Sequence, residues 1–255
     1  MIIKKIIILL LILFLIYIIK LNSCNYIKNK IFQLSDNPNI KEIGKNIYII
    51  DNFYKYPENV RKFALKSKNN FKIHPILYIT KYINPYFYYE KSKNIVNFFE
   101  KISKTKIDKN QWNKDILKDS NGFFQFITKD SNPVIHHDLY WGVIIYLTPN
   151  PKKSSGTSLF KHKETNVSHI EDCNKLLDEN KILDCKKKVK DDLWVEGTKS
   201  KINKWKINHQ IKNKFNRAII FDGRNYHSSD GGFGDTIENS RLYQTFFFSP
   251  FKKKS

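Results

Sequence analysis

Three side chains in the 255-residue chain have the types and spacing of a metal site. In VIHHDLYWG, His136 and Asp138 are two residues apart. If the segment is a strand, successive side chains alternate between faces, so His136 and Asp138 share one face and His137 takes the other. A histidine and a carboxylate on one strand face can chelate one cation. His227 ends a second apolar segment, NRAIIFDGRNYH, and strand pairing can bring it to the same point. Two histidines and one carboxylate on one face of an octahedral iron leave three positions open, enough for a bidentate keto acid and dioxygen. His136, Asp138 and His227 are therefore the candidate metal ligands and the candidate catalytic residues. An HxD pair alone is common by coincidence, and a histidine on a strand is more often a hydrogen-bonded structural residue; the third ligand and its setting raise the reading.

Arg241 opens RLYQTFFF, across the turn SSDGGFGDTIENS from His227. If that turn reverses the chain, Arg241, Tyr243, Thr245 and Phe247 all face inward. A guanidinium in an apolar interior clasps a carboxylate in bidentate fashion. Without that role, the arginine is a costly buried charge or faces solvent.

These residues need strands to hold them, and from Gly122 onward the pattern supplies strands: GFFQFIT, VIHHDLYWGVIIYLT, GTSLF, NRAIIFDGRNYH and RLYQTFFF, separated by polar, Gly- or Pro-bearing turns. Such a series predicts a sandwich or barrel. Upstream, NIYIIDNFYKYPENVRKFALK reads as a strand and then a helix, with Asn52 or a neighbour as its cap, and NIVNFFEKI reads as a helix. The tyrosine-rich YITKYINPYFYYE reads as a loop packed on the core. Trp141 and Phe160 read as core, and Tyr146 takes no assigned role. A charged stretch at about 161–214 reads as an elaborated loop over one end.

The order HxD, a strand ending YLT, GTSLF, NRAIIFDG…H and a basic residue on the last strand resembles the Fe(II)/2-oxoglutarate-dependent oxygenases, in particular their prolyl-hydroxylase-like branch. The opening IDNFYKYPENVRKFAL is also similar to the start of that branch. The resemblance runs from about Ile47 to Phe248, with the middle third matching poorly. It implies a mainly β, α+β domain built on a double-stranded β-helix, or jelly roll, with helices outside. It implies Fe(II) on His136, Asp138 and His227, and 2-oxoglutarate as cosubstrate with its C5 carboxylate on Arg241. Dioxygen would then be used to hydroxylate a peptidyl or other C–H substrate, with release of succinate and CO2. Departures from the pattern are Arg241 where many prolyl hydroxylases carry lysine, Ser155-Gly156 in place of a glycine pair, and the long charged stretch.

Length suits one compact domain with appendages. The expected division is 1–22 as a membrane anchor or signal peptide, 23–39 as a linker, and 40–255 as the oxygenase-like domain. The apolar run from Ile6 to Ile19 is 14 residues long, short of the ~20 of a spanning helix. Ile2, Ile3 and Leu21 extend it and Lys4, Lys5 and Lys20 can snorkel, so a transmembrane signal-anchor through residues 2–21 is favoured over a cleaved signal peptide. A short leading tail suggests a single-pass protein with its domain lumenal or extracytoplasmic, and the sequon Asn166-Val-Ser168 is compatible with that. Cys173 and Cys185 either close a loop or remain free thiols, and with Cys24 they form no zinc-type cluster. The 45 Lys+Arg against 24 Asp+Glu give +21, but lysine, asparagine and isoleucine are abundant everywhere and no basic recognition motif stands out, so no nucleic-acid partner is expected. The partner left open is a protein, peptide or small-molecule substrate. A catalytically silent jelly-roll module tethered to a membrane is the alternative.

Overall fold

The computed structural model describes residues 10–17, 31–66, 71–73, 80–82, 92–113, 121–131, 134–193 and 201–250. In chain order the strands are β1 (Asn39–Gly44), β2 (Ile47–Asp51), β3 (Lys72–Ile73), β4 (Thr80–Tyr82), β5 (Phe123–Ile127), β6 (Trp141–Tyr146), β7 (Thr157–His162), β8 (Trp205–Ile211), β9 (Ala218–Asp222), β10 (His227–Ser229) and β11 (Arg241–Phe248). From residue 31 on, the α-helices are α1 (Pro57–Lys66), α2 (Lys93–Ser103), α3 (Lys109–Trp112) and α4 (Glu179–Leu193). This is a β-rich α+β fold.

Every named strand pairing is antiparallel. The strands form a large sheet in the order β1-β2-β9-β6-β11-β5-β4-β3 and a small one in the order β10-β7-β8. From β6 onward the chain visits large, small, small, large, small and large sheet in turn, which lays the small sheet over the large one. Their facing sides share an apolar cluster in which Leu159 and Ile211 of the small sheet meet Ile47, Ile219 and Phe221 of the large.

Central strands β6, β9 and β11 read as near-continuous apolar runs because both of their faces are covered. On the outer face, Trp141, Val143, Ile145, Leu242, Phe246 and Phe248 join the helices in the main core. Helix α2 buries Ile95, Val96, Phe99 and Ile102, a stripe at helical spacing. Phe99 meets Phe246 at 5.5 Å and Phe248 at 5.7 Å. Trp141 belongs to this core, as expected, and Phe160 is buried in a smaller cluster behind the small sheet.

Several local expectations change. Asn52 does not cap α1; it adopts a left-handed backbone (φ 59°) and its amide donates to Ser35 Oγ and to the Asn37 carbonyl. The helix starts instead on Pro57, where a missing N–H costs nothing. The tyrosine-rich stretch contributes β4, paired with β5, rather than only a loop, and its other residues from 83 on lie outside the described ones. Strand β8 lies inside the stretch read as a charged loop and pairs with β7 along its length. Residues 10–17 form an exposed apolar helix. Among the described residues no helix is long and apolar enough to cross a membrane, and the remainder of the expected anchor at 2–21 lies outside them.

Candidate metal centre

His136 and His227 sit directly opposite each other. They form an isolated antiparallel bridge, exchanging backbone hydrogen bonds of 2.9 Å (His136 N to His227 O) and 2.8 Å (His227 N to His136 O). Residues paired in this way project to the same side, and the two rings stand 4.4 Å apart. The VIHHD segment is thus held by one bridge rather than a full ladder. Asp138, two residues on, donates its N–H to the Gly223 carbonyl at 2.8 Å. Glycine is required at 223 because a Cβ would lie 2.3 Å from the Tyr140 carbonyl and 3.0 Å from Asp138 Cβ.

Side-chain donor atoms of His136, Asp138 and His227 all lie within 4.8 Å of one another. His227 Nε2 is 3.4 Å from Asp138 Oδ2. Each imidazole is oriented from behind: His136 Nδ1 lies 2.9 Å from the Val134 carbonyl and His227 Nδ1 lies 2.8 Å from that of Asn225. A carbonyl can only accept, so Nδ1 carries a proton in both rings and Nε2 is the atom each ring leaves for a metal. His136 is exposed as a residue while its side chain lines a cavity. Burial, with repulsion between the two imidazoles, lowers the His136 pKa to about 4, so the ring is neutral at ordinary pH. Burial alone would raise the Asp138 carboxyl, but hydrogen bonding from His227 and the charges of the neighbouring imidazoles outweigh it and hold it ionised. Two neutral nitrogens and one carboxylate fit a divalent first-row metal. His137 points away, its ring against Tyr226 at 5.7 Å.

A cavity of about 290 Å³ opens in front of the three side chains, and it is also lined by Arg241, Tyr243, Thr245 and Phe247, the inward positions expected for β11. Arg241 is 1% exposed. Its Nη2 donates to the Gly156 carbonyl at 3.1 Å and to Thr157 Oγ1 at 3.2 Å, while Tyr243 and Tyr146 flank the guanidinium at 4.6 and 5.3 Å. Arg241 Nε is buried without a hydrogen-bond partner, and among the described residues no carboxylate lies within ion-pair distance. A buried guanidinium in that condition is costly unless an anion completes it. Arg217, immediately before β9, is satisfied elsewhere by a two-point pair with Asp51 at 2.6 and 3.0 Å.

Thr157, Tyr146 and Gln125 were not assigned to the site by sequence. Tyr146 hydroxyl and Thr157 Oγ1 are 2.7 Å apart, and Gln125 bridges Tyr243 and Thr245 across the cavity wall. Parity was the available signal: Tyr146 shares the face of Gly142 and Ile144, and Gln125 alternates with Phe124 and Phe126.

A family model described as a family of unknown function (DUF6445) matches residues 128–245. No curated protein matches the chain. Among solved structures, the chain is similar to a prolyl hydroxylase from Trichoplax adhaerens in complex with a hypoxia inducible factor peptide fragment, at 12% identity and a TM-score of 0.42, covering 80% of this chain and 83% of that one. A prolyl-4-hydroxylase from Pseudomonas putida matches at 11% identity and 0.40, covering 82% and 94%. HygX from Streptomyces hygroscopicus, with nickel and 2-oxoglutarate bound, matches at 12% identity and 0.43, covering 81% and 83%. Likenesses at this level carry no functional weight; the side-chain geometry does.

Proposed function

We propose that the protein is an Fe(II)- and 2-oxoglutarate-dependent dioxygenase on a double-stranded β-helix, acting on a peptidyl or other C–H substrate. The observation that carries this reading is the pairing, in one cavity, of a two-histidine, one-carboxylate cluster with a buried arginine whose Nε has no hydrogen-bond partner and which, among the described residues, forms no direct ion pair. Their separation suits the cosubstrate. His227 pairs with Leu159, and Thr157, which Arg241 contacts, lies two residues along the same strand, a backbone rise of about 7 Å. A five-carbon dicarboxylate bridges that span.

His136, Asp138 and His227 would hold the iron on one face. Bound iron and 2-oxoglutarate would supply dioxygen activation coupled to oxidative decarboxylation, giving succinate, CO2 and a hydroxylated substrate. Arg241 receives the remote carboxylate, with Thr157 and Tyr146 beside it to fix its orientation. Ile144, Phe221 and Phe247 make the walls apolar, which excludes water and strengthens the charge pairing at Arg241. We also place the domain on an extracytoplasmic side, because Cys173 and Cys185 form a disulfide and Asn166 of the sequon is exposed.

The reading is tested by exposing the full chain, loaded with Fe(II) and 2-oxoglutarate, to oxygen and measuring succinate. Succinate formed by the wild type and strongly reduced in Arg241→Met supports it. Equal, background-level succinate in both, with metal and cosubstrate bound, would contradict it.

A further inference from the structure

The segment between β7 and β8 is charged, contains a disulfide, and has no part in the chemistry above. Its buried side nevertheless converges on the metal centre. Ile135 immediately precedes His136 and Tyr226 immediately precedes His227; because side chains alternate, residues next to the inward histidines point outward. Both enter one apolar cluster with Cys173, Cys185, Val189 and Trp205. The Trp205 and Tyr226 rings are 4.9 Å apart.

A continuous set of bonds leads from the disulfide to His227. Cys173 is joined to Cys185 on α4 and follows Asp172, whose carboxylate accepts from Ser168 N at 2.8 Å and His169 N at 2.9 Å. The stretch so fixed runs beside the β9–β10 turn: Tyr226 N donates to the Ser168 carbonyl at 3.0 Å, Ile170 N to that of Arg224 at 3.1 Å, and His169 bridges Asn225. The Asn225 carbonyl is the group that orients His227 Nδ1.

We infer that this disulfide-closed segment is the positioning element of the metal centre, setting His136 and His227 by gripping Ile135 and Tyr226 behind them. The inference rests on the metal reading proposed above. VIHHD is held by the His136–His227 bridge and the hydrogen bond from Asp138 N to the Gly223 carbonyl rather than by a full ladder, so its alignment depends on what backs it. Opening the Cys173–Cys185 link frees the 168–172 stretch and weakens metal binding, while the helix-backed large sheet, which has no residue in that cluster, stays folded.

The test uses Co(II) as a spectroscopic stand-in for Fe(II), titrated into the full chain in a Cys24→Ser background so that no unpaired thiol competes. Disulfide-intact protein is compared with Cys173→Ala/Cys185→Ala, Tyr226→Leu and Tyr226→Phe, with circular dichroism confirming the fold. The expected result is one Co(II) per intact chain, at least tenfold weaker binding with shifted visible bands in the double-alanine and Tyr226→Leu proteins, and wild-type behaviour in Tyr226→Phe, which keeps the ring. Unchanged affinity and spectra in the folded variants would overturn the inference. Should the double-alanine protein fail to fold, Tyr226→Leu against Tyr226→Phe decides it. No Co(II) bound by the intact chain would instead bring down the metal reading, and this inference with it.

Discussion

The two sheets are backed in different ways. The large sheet carries a broad aromatic core under α1, α2 and α3, with Phe99 stacked on Phe248, Trp112 stacked on Phe246, and Phe99 edge-on to Phe246. The small sheet is covered by a lysine-rich segment with a small cluster around a disulfide. The cavity lies between them, with Arg241 supplied by the large sheet and His136 and His227 aligned from the small-sheet side. Stability and site alignment are thereby assigned to different halves of the molecule, and each half can be perturbed alone.

The largest effect is expected on the helix-backed side. Phe99→Ala should cost about 3–5 kcal/mol of unfolding free energy, measured by denaturant titration, with metal affinity of the folded protein essentially unchanged. A comparable loss of metal affinity in this variant would break the division. Arg241→Met separates the two halves of the cavity. Cosubstrate binding should weaken by roughly a hundredfold, about 3 kcal/mol, in calorimetric titration, with metal affinity kept. Its unfolding free energy should change little, because the loss of a buried guanidinium is offset by the loss of its favourable charge interaction with Asp230.

Acidity sharpens the comparison on the metal side. His136 has a lower pKa folded than its ordinary 6.5, so the unfolded chain takes up the proton first. Metal-free protein should be most stable above about pH 6.5 and lose stability as pH falls from there toward about 4; Asp138, held ionised, adds its own loss only below the ordinary carboxylate range. Denaturation midpoints across pH 4–8 check this, and a His136→Gln protein should show a flatter profile. The smallest effect is expected at His137→Ala, whose side chain faces Tyr226 rather than the cavity: metal affinity should stay within about threefold, about 0.6 kcal/mol. A larger loss would mean that His137 takes part in ligation.

Which residues share the cavity was readable from the sequence because strand period fixes faces. The parity of His136 with Asp138, and of Arg241 with Tyr243, Thr245 and Phe247, follows from alternation alone. Strand β8 does alternate, with Trp205, Ile207 and Ile211 against Lys206, Asn208 and Gln210, but the lysine-rich stretch around it hid the signal, and at the edge of the small sheet Lys206 to Gln210 stay exposed or only partly buried. Tyr146 takes no role from sequence alone because a bulge within a strand reverses side-chain direction, and only the structure shows that β6 runs in register against both β9 and β11. Spacing could not choose between a disulfide and two thiols at Cys173 and Cys185, because the choice depends on the fold of the intervening turn and helix. The backing of the histidines by Ile135 and Tyr226 was hidden for the same reason: it joins segments far apart in sequence through side chains that carry no chemistry of their own.

The most direct test of the central claim is anaerobic absorption spectroscopy of the full chain with one equivalent of Fe(II), titrated with 2-oxoglutarate. A metal-to-ligand charge-transfer band should grow with the cosubstrate, saturate, and be absent in Asp138→Ala. Folded wild-type protein that retains no iron, or a band that persists unchanged in Asp138→Ala, would contradict the assignment of His136, Asp138 and His227 as the metal site.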